Sequence, residues 1–251
     1  MRHLCLLLLV FMPFGNIQAE PEQGPQPVVV AMGNFEPYFL ASSQSGIFTD
    51  IVTAVFERMP DYEPHYLFGL SNNQLWSAFA GGRADAVANV FDSVELEGCR
   101  SDPVFRFRDV AISLLSENLD IESVVDLKGR SIVSFEGAYD FFGPSFSAVV
   151  EKAHYKEVEK PHLQARLLMA GRYQVSVGDL MIFLQARQSI AQKEGRDALP
   201  AIVVHDIFPQ IYSRMAFKEP AVCAAFNEAL AELKASGDYE AIYARYQTTL
   251  Q

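Results

Sequence analysis

Tryptophan occurs once, cysteine three times and histidine five times in 251 residues, and the 20 Lys and Arg fall well short of the 31 Asp and Glu. The resulting charge of −11 argues against nucleic acid, because binding phosphate requires a cationic footprint. The charge names no ligand, since a solvated acidic surface mostly reports solubility. The histidines form no metal pattern: His154 and His162 are eight apart, His65 and His205 stand alone, and none has a Cys or carboxylate at ligand spacing. A phosphate-cradling glycine loop and a nucleophile elbow are also missing. Beyond the first residues, no run approaches the roughly 18 apolar residues that a membrane-spanning helix needs.

What is present begins with Arg2 and His3, an apolar run LCLLLLVFMPF, and then GNIQAEPEQ. A short apolar run followed by small and polar residues reads as a secretory signal peptide, residues 1–19, cleaved near Ala19. The competing reading is a buried N-terminal helix. Cys5 lies inside the run, so Cys99 and Cys223 are the cysteines of the exported chain. In an oxidising compartment they either pair as a disulfide or remain as two separate buried thiols. At 50% hydrophobic and 20% charged, the remainder has the composition of a globular protein with one large or two modest domains.

The pattern along the chain repeats. The β-branched run 28–30 reads as a buried strand, followed by an amphipathic helix over 47–59, a strand near PHYLFG, a helix over NNQLWSAFAGG and a strand ADAVANVF. The order returns in SIVSF, a helix from Ala138, YKEVEK, LQARLLMAG and YQVSVGD, before a further helix and the strand AIVVHDIF. The phrase AFAGGRADAVANV is echoed by LLMAGRYQVSVGD at the same place in the second series, helix into third strand. Two βαβαβ series imply two α/β lobes with mostly parallel sheets. Two helices follow at 220–246, separated by Gly237, with no strands of their own to complete, so they are expected to return over the first lobe.

In order, Pro37-Tyr38-Phe39, Gly46-Ile47-Phe48-Thr49-Asp50-Ile51, Gly82-Arg83-Ala84-Asp85, Ser101-Asp102-Pro103, Asp126-Leu127-Lys128-Gly129-Arg130, Leu168 through Asp179, Phe226-Asn227-Glu228-Ala229-Leu230 and Gly237-Asp238-Tyr239 resemble the periplasmic substrate-binding proteins of polar-amino-acid ABC importers. No single phrase is diagnostic; their order spans essentially the whole exported chain. The resemblance implies the two-lobed type II periplasmic-binding fold, with residues 26–108 and 212–251 in lobe 1 and 109–211, including hinge strands, in lobe 2. It further implies a monomer without cofactor that captures a small polar solute between the lobes and delivers it to a membrane permease.

The site residues follow from the same comparison and from local chemistry. Asp179 ends the third strand of lobe 2, where the family commonly carries the acid for a ligand amine; helix N-capping is the other reading. Gly137-Ala138 lies between strand and helix, where backbone N–H groups hold an anion, or is an ordinary turn. Phe35 and Tyr38 stand where the family places aromatics over the ligand, whereas Trp76, beside Phe79 on an apolar helix face, belongs to the core. The family's carboxylate-gripping arginine would fall at Glu97, in a loop about three residues shorter than usual, which leaves Arg100 as its substitute only if the loop is reshaped. Asp92, Glu97 and Asp179 would suit a cationic ligand; the other reading of acids on a loop is a simply solvated surface. Two other functions fit the same scaffold: a periplasmic sensor without transport, and a dehydratase-like enzyme for which Glu136 is the one candidate general acid.

Overall fold

The computed structural model describes residues 24–195 and 199–250; the signal peptide and its cleavage near Ala19 lie outside them. The first part of the chain forms β1 (Gln26–Ala31), α1 (Ile47–Phe56), β2 (Tyr62–Leu67), α2 (Asn72–Ala80), β3 (Ala86–Val90), β4 (Cys99–Arg100) and β5 (Phe105–Phe107). It is followed by β6 (Asp109–Leu114), β7 (Ser131–Phe135), α3 (Ala138–Phe141), α4 (Pro144–Val150), β8 (His154–Val158), α5 (Pro161–Met169), β9 (Val175–Asp179), α6 (Leu180–Glu194) and β10 (Ile202–His205). The chain finishes with β11 (Ile211–Phe217), α7 (Pro220–Ala235) and α8 (Asp238–Leu250).

These strands make two sheets, one per lobe. The first has the order β2-β1-β3-β11-β4, with β5 on β11; the second runs β10-β6-β9-β7-β8. In each, the three strands of the βαβαβ series are parallel, and the strands that come from the lobe crossings are antiparallel to them. The sheets are therefore mixed around a parallel core.

Local chemistry explains the elements that matter most for the site. In α1, Phe48, Ile51, Val52, Val55 and Phe56 are all buried, each side chain contributing about 2 kcal/mol in transfer from water. The helix expected over 47–59 ends at Phe56, because Pro60 disfavours helical backbone at Met59; Met59 still reaches the core from the turn that follows. Gly46, ahead of α1, has φ 118°, and a Cβ there would stand 2.6 Å from the Tyr38 carbonyl oxygen. That close approach fixes the loop carrying Phe35 and Tyr38 against α1. The two C-terminal helices both pack on α1, and α7 also packs on β11.

Cys99 of β4 and Cys223 of α7 form a disulfide, which ties an edge strand of the first sheet to the tail. The sequence separation is 124, so the bond closes a long loop in the unfolded chain. Chain-entropy accounting gives roughly 4–5 kcal/mol for such a loop. Reduction, or the Cys99→Ala/Cys223→Ala double variant, is expected to lower the unfolding free energy by a substantial part of that amount, measured by urea denaturation with and without reductant.

Candidate interlobe site

The chain crosses between the lobes twice, at Arg108 between β5 and β6 and at 206–210 between β10 and β11. The crossings are bonded to each other. Arg108 Nε donates to Asp206 Oδ1 at 2.8 Å and Nη2 to Oδ2 at 2.5 Å, the parallel two-point geometry that suits guanidinium and carboxylate. The Arg108 hydrogen bond, ahead of its charge, holds the Asp206 carboxyl below the usual carboxylate range despite partial burial.

Beside this pair lies the buried carboxylate of Asp179. It caps α6, accepting from the Ile182 N–H at 3.0 Å through Oδ1. Its Oδ2 accepts from the Arg108 N–H at 3.0 Å and from the Tyr38 hydroxyl at 2.7 Å. The last bond runs from lobe 1 to lobe 2. Tyr38 is fully buried, with its ring 4.2 Å from Phe48 and 5.1 Å from Phe107 between centroids, so its hydroxyl is held in place by packing. Burial, then the neighbouring Asp179 charge, pushes the Tyr38 hydroxyl pKa well up, leaving it a donor at physiological pH.

Asp109 faces Asp179 directly across the β6–β9 ladder. Burial first, and the Asp179 charge second, raise its pKa to about 7. Burial also raises Asp179, opposed by the Ile182, Tyr38 and Arg108 hydrogen bonds. Two carboxyls thus share one enclosed corner at the hinge, and burial raises the pKa of both.

Further contacts between α6 and the first lobe lie nearby. Gln185 Nε2 donates to Glu36 Oε2 at 3.2 Å, and Gln188 Nε2 to the Thr249 carbonyl at 3.0 Å. Tyr38, Arg106, Arg108, Leu180, Met181, Tyr243 and Gln247 line a cavity of only about 50 Å³. That is room for a water or two, far below the roughly 300 Å³ of a small-molecule pocket.

The other expected site residues take these places. Phe35 is partly buried and meets Tyr38 edge-on at 5.9 Å. Asp92 is exposed and accepts from Arg214 Nε at 3.1 Å. Arg100 turns inward: Nη1 donates to the Phe91 carbonyl at 3.1 Å and Nη2 to that of Val94, so its fork closes the loop after β3. Glu97 is exposed and lines a surface groove with Phe79, Leu96 and Lys218. Gly137, at φ 87°, turns the chain into α3, with Ala138 buried behind it. The Gly137 N–H donates to Glu157 Oε2 and the Tyr139 N–H to Glu157 Oε1, both at 2.8 Å, while the Tyr155 hydroxyl reaches Oε1 at 2.7 Å. The structure brings Tyr38, Phe35 and Asp179 together; Asp92 and Arg100 are engaged elsewhere in the first lobe, and the Gly137 turn is engaged by a residue of β8.

Sequence reading missed Asp109, Arg108, Asp206 and Glu157. Arg108 and Asp109 were visible only as a charged doublet before an apolar run. Tyr155 and Glu157 stand two apart on a strand and so share a face, but nothing local shows that this face meets the Gly137 turn.

Two mixed sheets, each on a parallel core and joined by two crossings, define the type II periplasmic-binding-protein fold, and the chain is a structural match to amino-acid solute-binding proteins. An ancestral cationic amino acid solute-binding protein superposes with a TM-score of 0.69 at 17% identity, over 88% of this chain and 95% of that one. The second substrate-binding domain of a putative amino acid ABC transporter from Streptococcus pneumoniae gives 0.66 at 21%, over 87% and 99%. A histidine kinase sensor domain with similarity to periplasmic binding proteins gives 0.59 at 19%, over 87% and 95%. No family model and no curated protein matches the sequence.

Two predictions come from the hinge corner. Tyr38→Phe leaves the ring packing intact and removes a donor from a buried carboxylate, so it is expected to destabilise by about 1–3 kcal/mol in denaturant unfolding. For Asp109 the folded pKa is raised, so its stabilising contribution is present below the unfolded value of about 3.9 and is lost as pH rises through about 7. Asp109→Asn is expected to remove this loss, flattening the dependence of unfolding free energy on pH between about 4 and 7 relative to the unsubstituted chain.

Proposed function

We propose that the chain is a non-enzymatic binding protein of the periplasm, exported by its N-terminal segment. It closes two lobes around a small polar solute and presents the closed form to the membrane permease of an ABC importer. The observation that carries this reading is the pairing of a two-stranded crossing with direct interlobe bonds, Tyr38 to Asp179 and Gln185 to Glu36. Lobes that can reach each other across a narrow connection can be biased by any solute touching both, because a ligand shifts a conformational balance only through contacts that differ between its states. Residues 26–108 with 212–251 would move as one lobe against 109–211.

Sensing is the second reading. It is supported by the likeness to a histidine kinase sensor domain and by the engagement of Arg100 inside its own loop. In either case the lobes capture the same solute; only the listener differs. The enzyme reading has less support, since Glu136 is exposed and a general acid works best enclosed with its substrate.

A thermal-shift screen against amino acids, amines, small carboxylates and sugars tests capture. A solute at 100 times its Kd adds about 2.7 kcal/mol to folding, a rise in Tm of roughly 5–10 °C for a chain of this size. No rise with any class would count against solute capture. Deleting the gene then separates the two listeners: lost uptake of the identified solute means transport, and unchanged uptake with an altered cellular response means sensing.

A further inference from the structure

The lobes meet over a pair of acids. Asp109, the first residue of β6 after the Arg108 crossing, stands directly opposite Asp179 of β9, and directly opposed residues on an antiparallel ladder hold their Cβ atoms about 5 Å apart. Both are nearly removed from water, at 5% and 8% exposure. Part of their cover comes from the other lobe. The Tyr38 hydroxyl bonds Asp179 and lies close enough to Asp109 for both charges to act on it, while its ring is held by Phe48 and Phe107.

The charged and titratable groups around this corner do not neutralise the pair. Arg108, on the crossing, gives its guanidinium to Asp206 and only its main-chain N–H to Asp179. Arg106 of β5 gives its guanidinium to Glu240 and lies over the Tyr243 ring of α8, whose hydroxyl bonds the main chain of Arg106. Glu36, in the Tyr38 loop, accepts from Gln185 of α6. On β10, His205 bonds Ser113, four residues further along β6; on α5, Arg166 faces Glu194. The charge that acts on Asp109 is that of Asp179, and it opposes ionisation.

Two carboxyls so close and so dry take up a proton between them at pH values where a solvated pair holds none. Parting the lobes would draw Tyr38 away from Asp179 and admit water, removing the burial that favours the proton. Proton uptake and lobe contact then form one linked equilibrium, in which acid favours the state that binds the proton more tightly.

We propose that the Asp109–Asp179 pair is a proton-sensitive latch: the lobes close with uptake of one proton, so acid favours the closed form and alkali the open form, with no solute bound. The proposal rests on the lobe motion invoked for solute capture and adds a control that acts without solute. The sign follows from the raised closed-state value of about 7 for Asp109, against about 4 for a solvated carboxyl. The ratio of closed to open chains falls by up to tenfold per pH unit from about 5 to about 7 and levels off above.

The test is small-angle X-ray scattering of the full exported chain, without solute, from pH 5 to 8.5. The radius of gyration is expected to be larger at pH 8.5 than at pH 5. Asp109→Asn keeps the side chain's shape and leaves one acid in the corner; it is expected to hold the low-pH radius throughout. Tyr38→Phe keeps the pair and the ring but removes a donor from the charged form, so the midpoint of the change is expected to move to higher pH, a result that does not depend on the folding of Asp109→Asn. A constant radius overturns the proposal, as does a rise that persists unchanged in Asp109→Asn or a midpoint unmoved by Tyr38→Phe. A solute found by thermal shift together with a constant radius removes the latch and leaves capture standing; a pH-dependent radius with no solute found does the reverse.

Discussion

A carboxylate removed from water must find hydrogen-bond donors, and the way Asp179 finds them organises the centre of this protein. One donor starts α6, one belongs to the crossing strand, and one comes from a tyrosine of the other lobe. A single side chain therefore couples helix initiation, hinge geometry and lobe contact. Burying an ionised group without such partners costs several kcal/mol, so the surrounding packing of Tyr38, Phe48 and Phe107 has to deliver the hydroxyl accurately. The raised pKa of the neighbouring Asp109 fits the same logic, because two unshielded charges in that corner would repel.

Satisfying a polar group internally and offering it to a solute are competing uses of the same atoms. In the Gly137 turn, a carboxylate from β8 takes the N–H groups that an anion would otherwise use. In the loop after β3, the guanidinium of Arg100 is spent on carbonyls, which gives a short loop a defined shape at the expense of a free cation. Both choices leave the two-lobed scaffold intact while committing polar groups to the chain's own loops.

Most of the fold was legible because it is written in local periodicity: the β-branched runs of β1 and β7, the apolar stripe of α1 and the repeated helix-to-strand phrase each carry their own signal. β11 was not, because Ser213 and Arg214 interrupt its apolar pattern; their reasons are distant, a bond from Ser213 to Asn89 and one from Arg214 to Asp92. At the site, Asp179 was legible as an N-cap from its place at a strand end. Its partner was not: Tyr38 lies 141 residues away, and only the tertiary fold brings the two together. The partners of Arg100 were hidden for the complementary reason, since sequence shows a cation but not the carbonyls it bonds.

The Arg108–Asp206 pair has a mechanical consequence. Two strands crossing side by side could slide past one another, twist as a ribbon or flex like a leaf spring. A two-point bridge between them, one on each crossing, resists sliding and twisting far more than flexing, because only the first two stretch both bonds. The connection is then softest in flexing, the one distortion that leaves both bonds at their length.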